Sequence, residues 1–548
     1  MAPNSTLSFA YDGSLLQQTT WAGTVAGSVS RVYDTSFRIS SQSVNGANTI
    51  SFGYDIDSLL TSAGSLTITR SAQNGLISGT SLGAVTDTRT YSTFGELGQY
   101  TATANSATVL DVQYTRDKLG RITQKVETIG GVTDTFVYTY DTAGRLTDVN
   151  KNGATAAHYT YDSNGNRLSA TDQTGTVNGT YDAQDRLTQY GNLQYTYTTN
   201  GELLTKNNPV LGQTASFTYD ALGNLKSATL PGSILVEYVV DGQNRRIGKK
   251  INGVLVQGFL YQNQLNPVAE LDGTGAVVSR FVYGSKANVP DYMIKAGVTY
   301  RIVSDHLGSP RLVIDTTTGA IVQRMDYDEF GNITVDTNPG FQPFGFAGGL
   351  YDQHTGLTRF GARDYDAQIG RWTAKDPIRF YARTANLYGY VFNDPVNLTD
   401  PEGKIIPLLL GAWAVIEFGL SVSDAVNTIQ DLLNPCFTSV EKAVSVGLFF
   451  AGVVGPGGGY STGAKAIGRS IDDILRADTR TFRRFLESEQ GQAARSGGAS
   501  RTIEETQRNL QGAEERSFRA PRGVETEWVG SPHINLHGPS GESIHFPV

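Results

Sequence analysis

The sequence predicts a mainly β fold of stacked β-hairpins, followed by a separate α+β domain at the C-terminus. Three observations predict it. A Tyr-Asp turn theme returns along the chain as far as Tyr327-Asp328. It stops past Lys404, where the composition changes. The 548 residues include 62 glycines and 27 tyrosines with only 18% charged residues, the makeup of a turn-rich, strand-rich protein.

The theme reads Tyr-x-Tyr-Asp-x-x-Gly-Arg/Asn-Leu. Clear copies are Tyr140-Asp141-Thr142-Ala143-Gly144-Arg145-Leu146, Tyr161-Asp162-Ser163-Asn164-Gly165-Asn166-Arg167 and Tyr219-Asp220-Ala221-Leu222-Gly223-Asn224-Leu225. Degenerate copies fall at Tyr181-Asp182, Asp241 and Tyr327-Asp328. Val137-Tyr138-Thr139-Tyr140 alternates β-branched and aromatic residues, the pattern of a half-buried strand. Asp bonds its own backbone and Gly accepts positive φ, so the chain turns, and Arg145-Leu146-Thr147 begins the return strand. Such a hairpin cannot bury its face alone and must stack on its neighbours.

At this length the chain holds two or more domains. A net charge of −8 argues against a chain-wide nucleic-acid or anionic-membrane surface, though not against a local basic site. The single cysteine, Cys436, excludes an internal disulfide and a multi-cysteine zinc site, and reads as a buried small residue. No secretory leader pattern follows Met1, so export is expected to use a specialised secretion apparatus or a carrier. The apolar runs Ile405 to Ile416 and Ala443 to Val454 fall short of the roughly 20 residues of a spanning helix, so no stable membrane span is expected.

Ser304-Asp305-His306-Leu307-Gly308-Ser309-Pro310-Arg311, followed by Tyr327-Asp328-Glu329-Phe330-Gly331, resembles the Rhs/YD-repeat polymorphic toxin family. So does the stretch 359–404. It carries Arg363, Arg371, Asp376-Pro377, Asn386-Leu387-Tyr388-Gly389-Tyr390, Asn393-Asp394-Pro395 and Asp400-Pro401-Glu402-Gly403-Lys404. The resemblance implies a YD-repeat β-shell over 1–340 that sequesters a toxic C-terminus. It further implies a core-associated self-cleavage cassette over 341–404, a linker or pre-toxin segment over 405–464, and a variable C-terminal toxin domain over 465–548. A wall around a compact payload of radius about 19 Å needs roughly 500 strand residues. Residues 1–404 fall short of that, which is why the shell is expected to stay open.

By the same resemblance, Asp376 and Asp400 match a catalytic pair, Arg363 matches an assisting arginine, and cleavage follows Lys404. The chemistry is that of an aspartic protease: two close carboxylates share a proton, one activates water, and the other protonates or polarises the scissile carbonyl. Two residues depart from the family pattern. Lys404 stands where an apolar residue is usual, and Asp394 adds a third carboxylate. The competing reading is that these Asp-Pro steps only end strands and fix turns.

Residues 405–460 are apolar and Gly-rich, with an amphipathic helix expected over 421–433. From Lys465 onward the chain is expected to be helical and Arg-rich. The run Pro532-His533-Ile534-Asn535-Leu536-His537 alternates with period two, which puts His533, Asn535 and His537 on one strand face. Gly538-Pro539-Ser540-Gly541 reads as a turn, and the return strand brings His545 beside them. These imidazoles, with Arg522 near in sequence, suit metal-free RNA cleavage: one His takes the ribose 2′-hydroxyl proton, another protonates the leaving oxygen. A divalent metal on the same histidines, inert surface histidines, a membrane-active payload and a structural or adhesive repeat protein are the alternatives. The toxin reading implies a cognate immunity protein, a nucleic-acid substrate, no cofactor, and action in the cytoplasm of a target cell.

Overall fold

The computed structural model describes residues 6–382, 384–404, 525–529, 533–537 and 543–547. Among them, thirty-two strands, from β1 (Thr6–Asp12) to β32 (Ile333–Asp336), make one antiparallel sheet. The sheet is a meander in which each strand pairs with its neighbours in sequence. β1 pairs with β2 (Leu15–Ala22) and β32 with β31 (Ile321–Tyr327), so the sheet has two ends and does not close on itself.

Each repeat is built as its chemistry requires. Asp141 Oδ1 accepts from the backbone N–H of Ala143 (2.9 Å) and Arg145 (3.0 Å), while Arg145 Nε donates to Asp141 Oδ2 at 2.6 Å. Gly144 takes a φ of +85°, which completes the turn. Leu146 and Tyr138 then point into the core. In several copies the tyrosine before the Asp staples its repeat to an earlier strand. Tyr140 Oη donates to Ile122 O at 2.7 Å and Tyr161 Oη to Leu146 O at 2.8 Å. The turn arginine reaches the other way, with the Arg145 guanidinium 5.0 Å from the centre of the Tyr161 ring. Tyr161→Phe keeps the ring and removes one bond. It is expected to cost about 1 kcal/mol, checked by denaturant titration of the full chain.

The meander coils back on itself. Trp21 Nε1 donates to Asp241 Oδ2 at 3.0 Å, Arg301 pairs with Asp87 at 2.7 Å, and Arg311 clasps Glu127 with bonds of 2.5 and 2.9 Å. Apolar side chains fill the seam: Trp21, Val29 and Val44 pack with Phe259 and Leu260, and Val85 and Leu110 with Val303 and Leu312. Strands far apart in sequence thus share a core, which a lone hairpin cannot build.

A second, four-stranded sheet follows: β33 (Leu350–Tyr351), β34 (Leu357–Phe360), β35 (Arg363–Asp366) and β36 (Arg371–Trp372). It docks on the repeats through buried polar contacts. Arg371 Nη1 donates to Asn166 Oδ1 (2.7 Å), Tyr388 Oη to Gly201 O (2.7 Å), and Arg246 pairs with Asp364 (2.8 Å). Phe346, Phe360, Tyr365, Trp372 and Tyr390 form its aromatic centre.

Three C-terminal strands form a sheet of their own: β37 (Glu525–Val529), β38 (His533–His537) and β39 (Ser543–Pro547). The helices expected past Lys404, both apolar runs, Cys436 and Arg522 lie outside the described residues. Among the described residues, no helix is long and apolar enough to cross a membrane.

Candidate active site

The segment 400–403 repeats the turn grammar of the shell. Gly403 N–H donates to Asp400 O at 3.2 Å, and Lys404 N–H to Asp400 Oδ1 at 3.2 Å, as Gly144 and Arg145 do to Asp141. One thing changes. The residue four positions on is Lys404, and the side chain that meets Asp400 Oδ2 is Arg363 (3.1 Å). The same Arg363 Nη2 lies 2.7 Å from Asp376 Oδ2, and Arg363 Nε donates to Gly403 O at 2.5 Å. One guanidinium therefore joins both carboxylates to the end of the cassette.

Local structure fixes each partner. Arg363 opens β35 just past the two-residue loop Gly361-Ala362, in register with Phe360. Its guanidinium lies over the Trp372 ring, 4.1 Å from the centroid. Asp376 is set by its N–H to Leu387 O (3.0 Å) and by accepting the Ile378 N–H (2.9 Å). Residues 402–403 lie directly across the hairpin loop, with Ala362 N–H donating to Glu402 O at 2.8 Å. A Cβ on Gly361 would come within 2.4 Å of that carbonyl oxygen, and one on Gly403 within 2.5 Å of Phe360 O. Only two facing glycines permit this approach.

Arg363, Asp376 and Asp400 are all buried. Desolvation raises the Asp376 carboxyl to about 6 despite Arg363 beside it. Arg363 between the two acids favours their charged forms, and at Asp376 desolvation outweighs it. The Gly403–Lys404 peptide is held at both ends, by Arg363 Nε on its carbonyl and Asp400 Oδ1 on its N–H. That is one bond before the expected cut after Lys404, whose far side lies outside the described residues. Asp394, the extra carboxylate, serves a seam instead: it accepts from Asn397 Nδ2 (2.7 Å), and Asn397 Oδ1 accepts from Ile122 N–H (2.7 Å).

Burial also raises Asp394 to about 6 and Glu402 and Glu329 to about 7. Carboxyls raised in this way stabilise the fold fully below their unfolded values and cease to do so as pH rises through 6 to 7. His306 works in the opposite sense. Tyr114 Oη lies 3.1 Å from its Nδ1 and Val396 O 2.8 Å from its Nε2, and burial lowers it to about 4. Its contribution is complete above its unfolded value and fades only as pH falls toward 4. The melting temperature is therefore expected to rise from pH 8 to pH 6, and Glu402→Gln to flatten that slope in a thermal scan.

The residues that sequence reasoning missed are Trp372, Gly361, Glu402 and the Gly403 carbonyl. A glycine two positions before a buried arginine was the available signal for the loop. Nothing in the sequence signalled the cation–π contact.

In the C-terminal sheet, Asn535 is paired with His545 on one side and with Glu527 on the other. His537 is likewise paired with Ser543 and Glu525, and His533 with Pro547 and Val529. Residues directly opposite share a face. By register, His533, Asn535, His537 and His545 occupy one face together with Glu525 and Glu527.

The chain is 29% identical to human teneurin-4 over 359 residues, which is 62% of this chain and 13% of the relative. It is 26% identical over 297 residues to the tRNA3(Ser)-specific nuclease WapA of Bacillus spizizenii, covering 52% of this chain and 12% of that one. The chain thus matches about an eighth of the length of these curated relatives. Among solved structures it resembles the TcdB2-TccC3-Cdc42 crystal structure (TM-score 0.60, 17% identity, 71% of this chain and 23% of that one). The Photorhabdus luminescens Tc holotoxin pore is similar (TM-score 0.58, 17% identity, 74% and 23%). These two likenesses are of fold. The teneurin YD-shell family model matches residues 3–396, through all the repeats and most of the cassette, and the chain belongs to that family of YD-repeat proteins.

Proposed function

We propose that this chain is the shell-and-release part of a polymorphic toxin. The repeat sheet supports the cassette, the Arg363, Asp376 and Asp400 site cuts the chain beside Lys404, and the residues beyond act as a nuclease on the nucleic acid of a target cell. The observation that carries the reading is one buried guanidinium shared by two aspartates and the Gly403 carbonyl. A turn that only ended a strand would not need a second acid from elsewhere in the fold. In the mechanism, Arg363 draws charge onto the carbonyl oxygen while one carboxylate takes a proton from water and the other returns one to the leaving nitrogen.

The likeness to a tRNA3(Ser)-specific nuclease supports a nucleic-acid substrate, and the acid–base face of the C-terminal sheet supplies groups suited to it. The Tc assembly likeness supports delivery by carrier proteins, and a toxin of this kind is expected to have an immunity partner. The test is expression of the full chain in a bacterium without a protecting partner. Two fragments on a denaturing gel, degraded RNA and halted growth are expected. An intact chain with normal growth would favour a structural repeat protein instead.

A further inference from the structure

A cavity of about 40 Å³ lies between the repeat sheet and the cassette, lined by Arg245, Arg246, Arg359, Asn288, Gly361 and Pro401 among others. No acidic residue lines it. We propose that it is a binding site for one small tetrahedral oxyanion of the phosphate or sulfate class.

Charge and hydrogen bonding point the same way. All three arginines are buried. Arg245 is engaged by Asp241 (2.6 Å) and donates to Asn263 O (3.1 Å). Arg246 and Arg359 share a single carboxylate, that of Asp364, at 2.8 and 3.0 Å. The three guanidiniums thus have two carboxylate partners, Asp241 and Asp364, which leaves one positive charge over at the cavity. The Nε donors of Arg246 and Arg359 are buried with no partner. A buried donor without a partner costs about 1–3 kcal/mol, and an uncompensated charge costs more. A neutral filling answers the first cost and not the second; an oxyanion answers both. The space is about that of three waters, at 10–15 Å³ each, which a tetrahedral oxyanion can fill. With strand residues on one side and Gly361 and Pro401 on the other, the anion would tie the shell to the cassette next to Asp400. The proposal does not require the chain to cleave itself.

The test is crystallographic and thermal, on the full chain. Crystals grown with selenate are expected to give an anomalous peak in the cavity beside Arg246 and Arg359. Phosphate and sulfate should each raise the melting temperature to a plateau, and chloride at matched ionic strength should not. Arg359→Gln should remove the plateau. A cavity without selenate, or a thermal shift that follows ionic strength alone, would overturn the proposal. Should Arg359→Gln fail to fold, the selenate experiment decides alone.

Discussion

Asp400→Asn and Asp376→Asn are each expected to leave only a full-length band where the unaltered chain gives two fragments. Asparagine keeps the size of the side chain and, at 400, the turn made by the Asp400 carbonyl with Gly403. What it loses is the charge that Arg363 holds and the capacity to move a proton. Acid–base groups of this kind contribute about 10²–10⁴ in rate, and groups acting as one unit fall together when either is removed. Processing should therefore stop on the timescale of purification. Arg363→Ala is the poorer test. It leaves two buried carboxylates without their cation, a loss of about 3–5 kcal/mol, so the cassette is expected to come apart for reasons unconnected with catalysis. Intact mass of the released fragment adds a second readout: it begins at Ile405 for the expected cut and at Lys404 for the peptide gripped in the structure. If both Asn variants still yield two fragments, the site is misassigned.

His537→Ala and His545→Ala are each expected to abolish growth inhibition and RNA degradation by the full chain. The register sets His545 opposite Asn535, two residues from His537 along the strand, so the two histidines are diagonal neighbours and the pair can serve a single phosphodiester. An imidazole titrates near neutrality and can act as base or acid, and losing either should cost about 10²–10⁴. Asn535→Ala and His533→Ala measure how much of that face is used. A chelator distinguishes the metal alternative, because metal-free cleavage proceeds unchanged in its presence. Undiminished killing by both histidine variants would remove the face from consideration.

The repeat shell could be read from the sequence because each turn is written locally. Asp141, Gly144 and Arg145 lie within five residues and make the whole turn among themselves. The role of the tyrosine could not be read in this way, because Tyr161 Oη finds its acceptor at Leu146, on an earlier strand. The cassette was half legible. Asp400-Pro401-Glu402-Gly403 is visible as an Asp-x-x-Gly step, but its salt partner, Arg363, lies 37 residues back, and only the resemblance pointed there. The close approach of Gly361 to Glu402 and the stacking of Arg363 on Trp372 depend on tertiary packing that periodicity does not encode. In the C-terminal sheet, alternation predicted the strands around His537 and His545, while the pairing of Glu525 and Glu527 with them came from the register.

A meander bonded from neighbour to neighbour has a direction in time. Each new strand leaving a ribosome, or a translocation channel, meets a partner already made, so order can propagate from the amino end without a search among distant edges. The latch is set late: Trp21 waits for Asp241, and Asp87 for Arg301. Pulled from the end of its cassette, the same chain would release that cassette first and then unravel hairpin by hairpin, giving a train of small force steps instead of one large rupture.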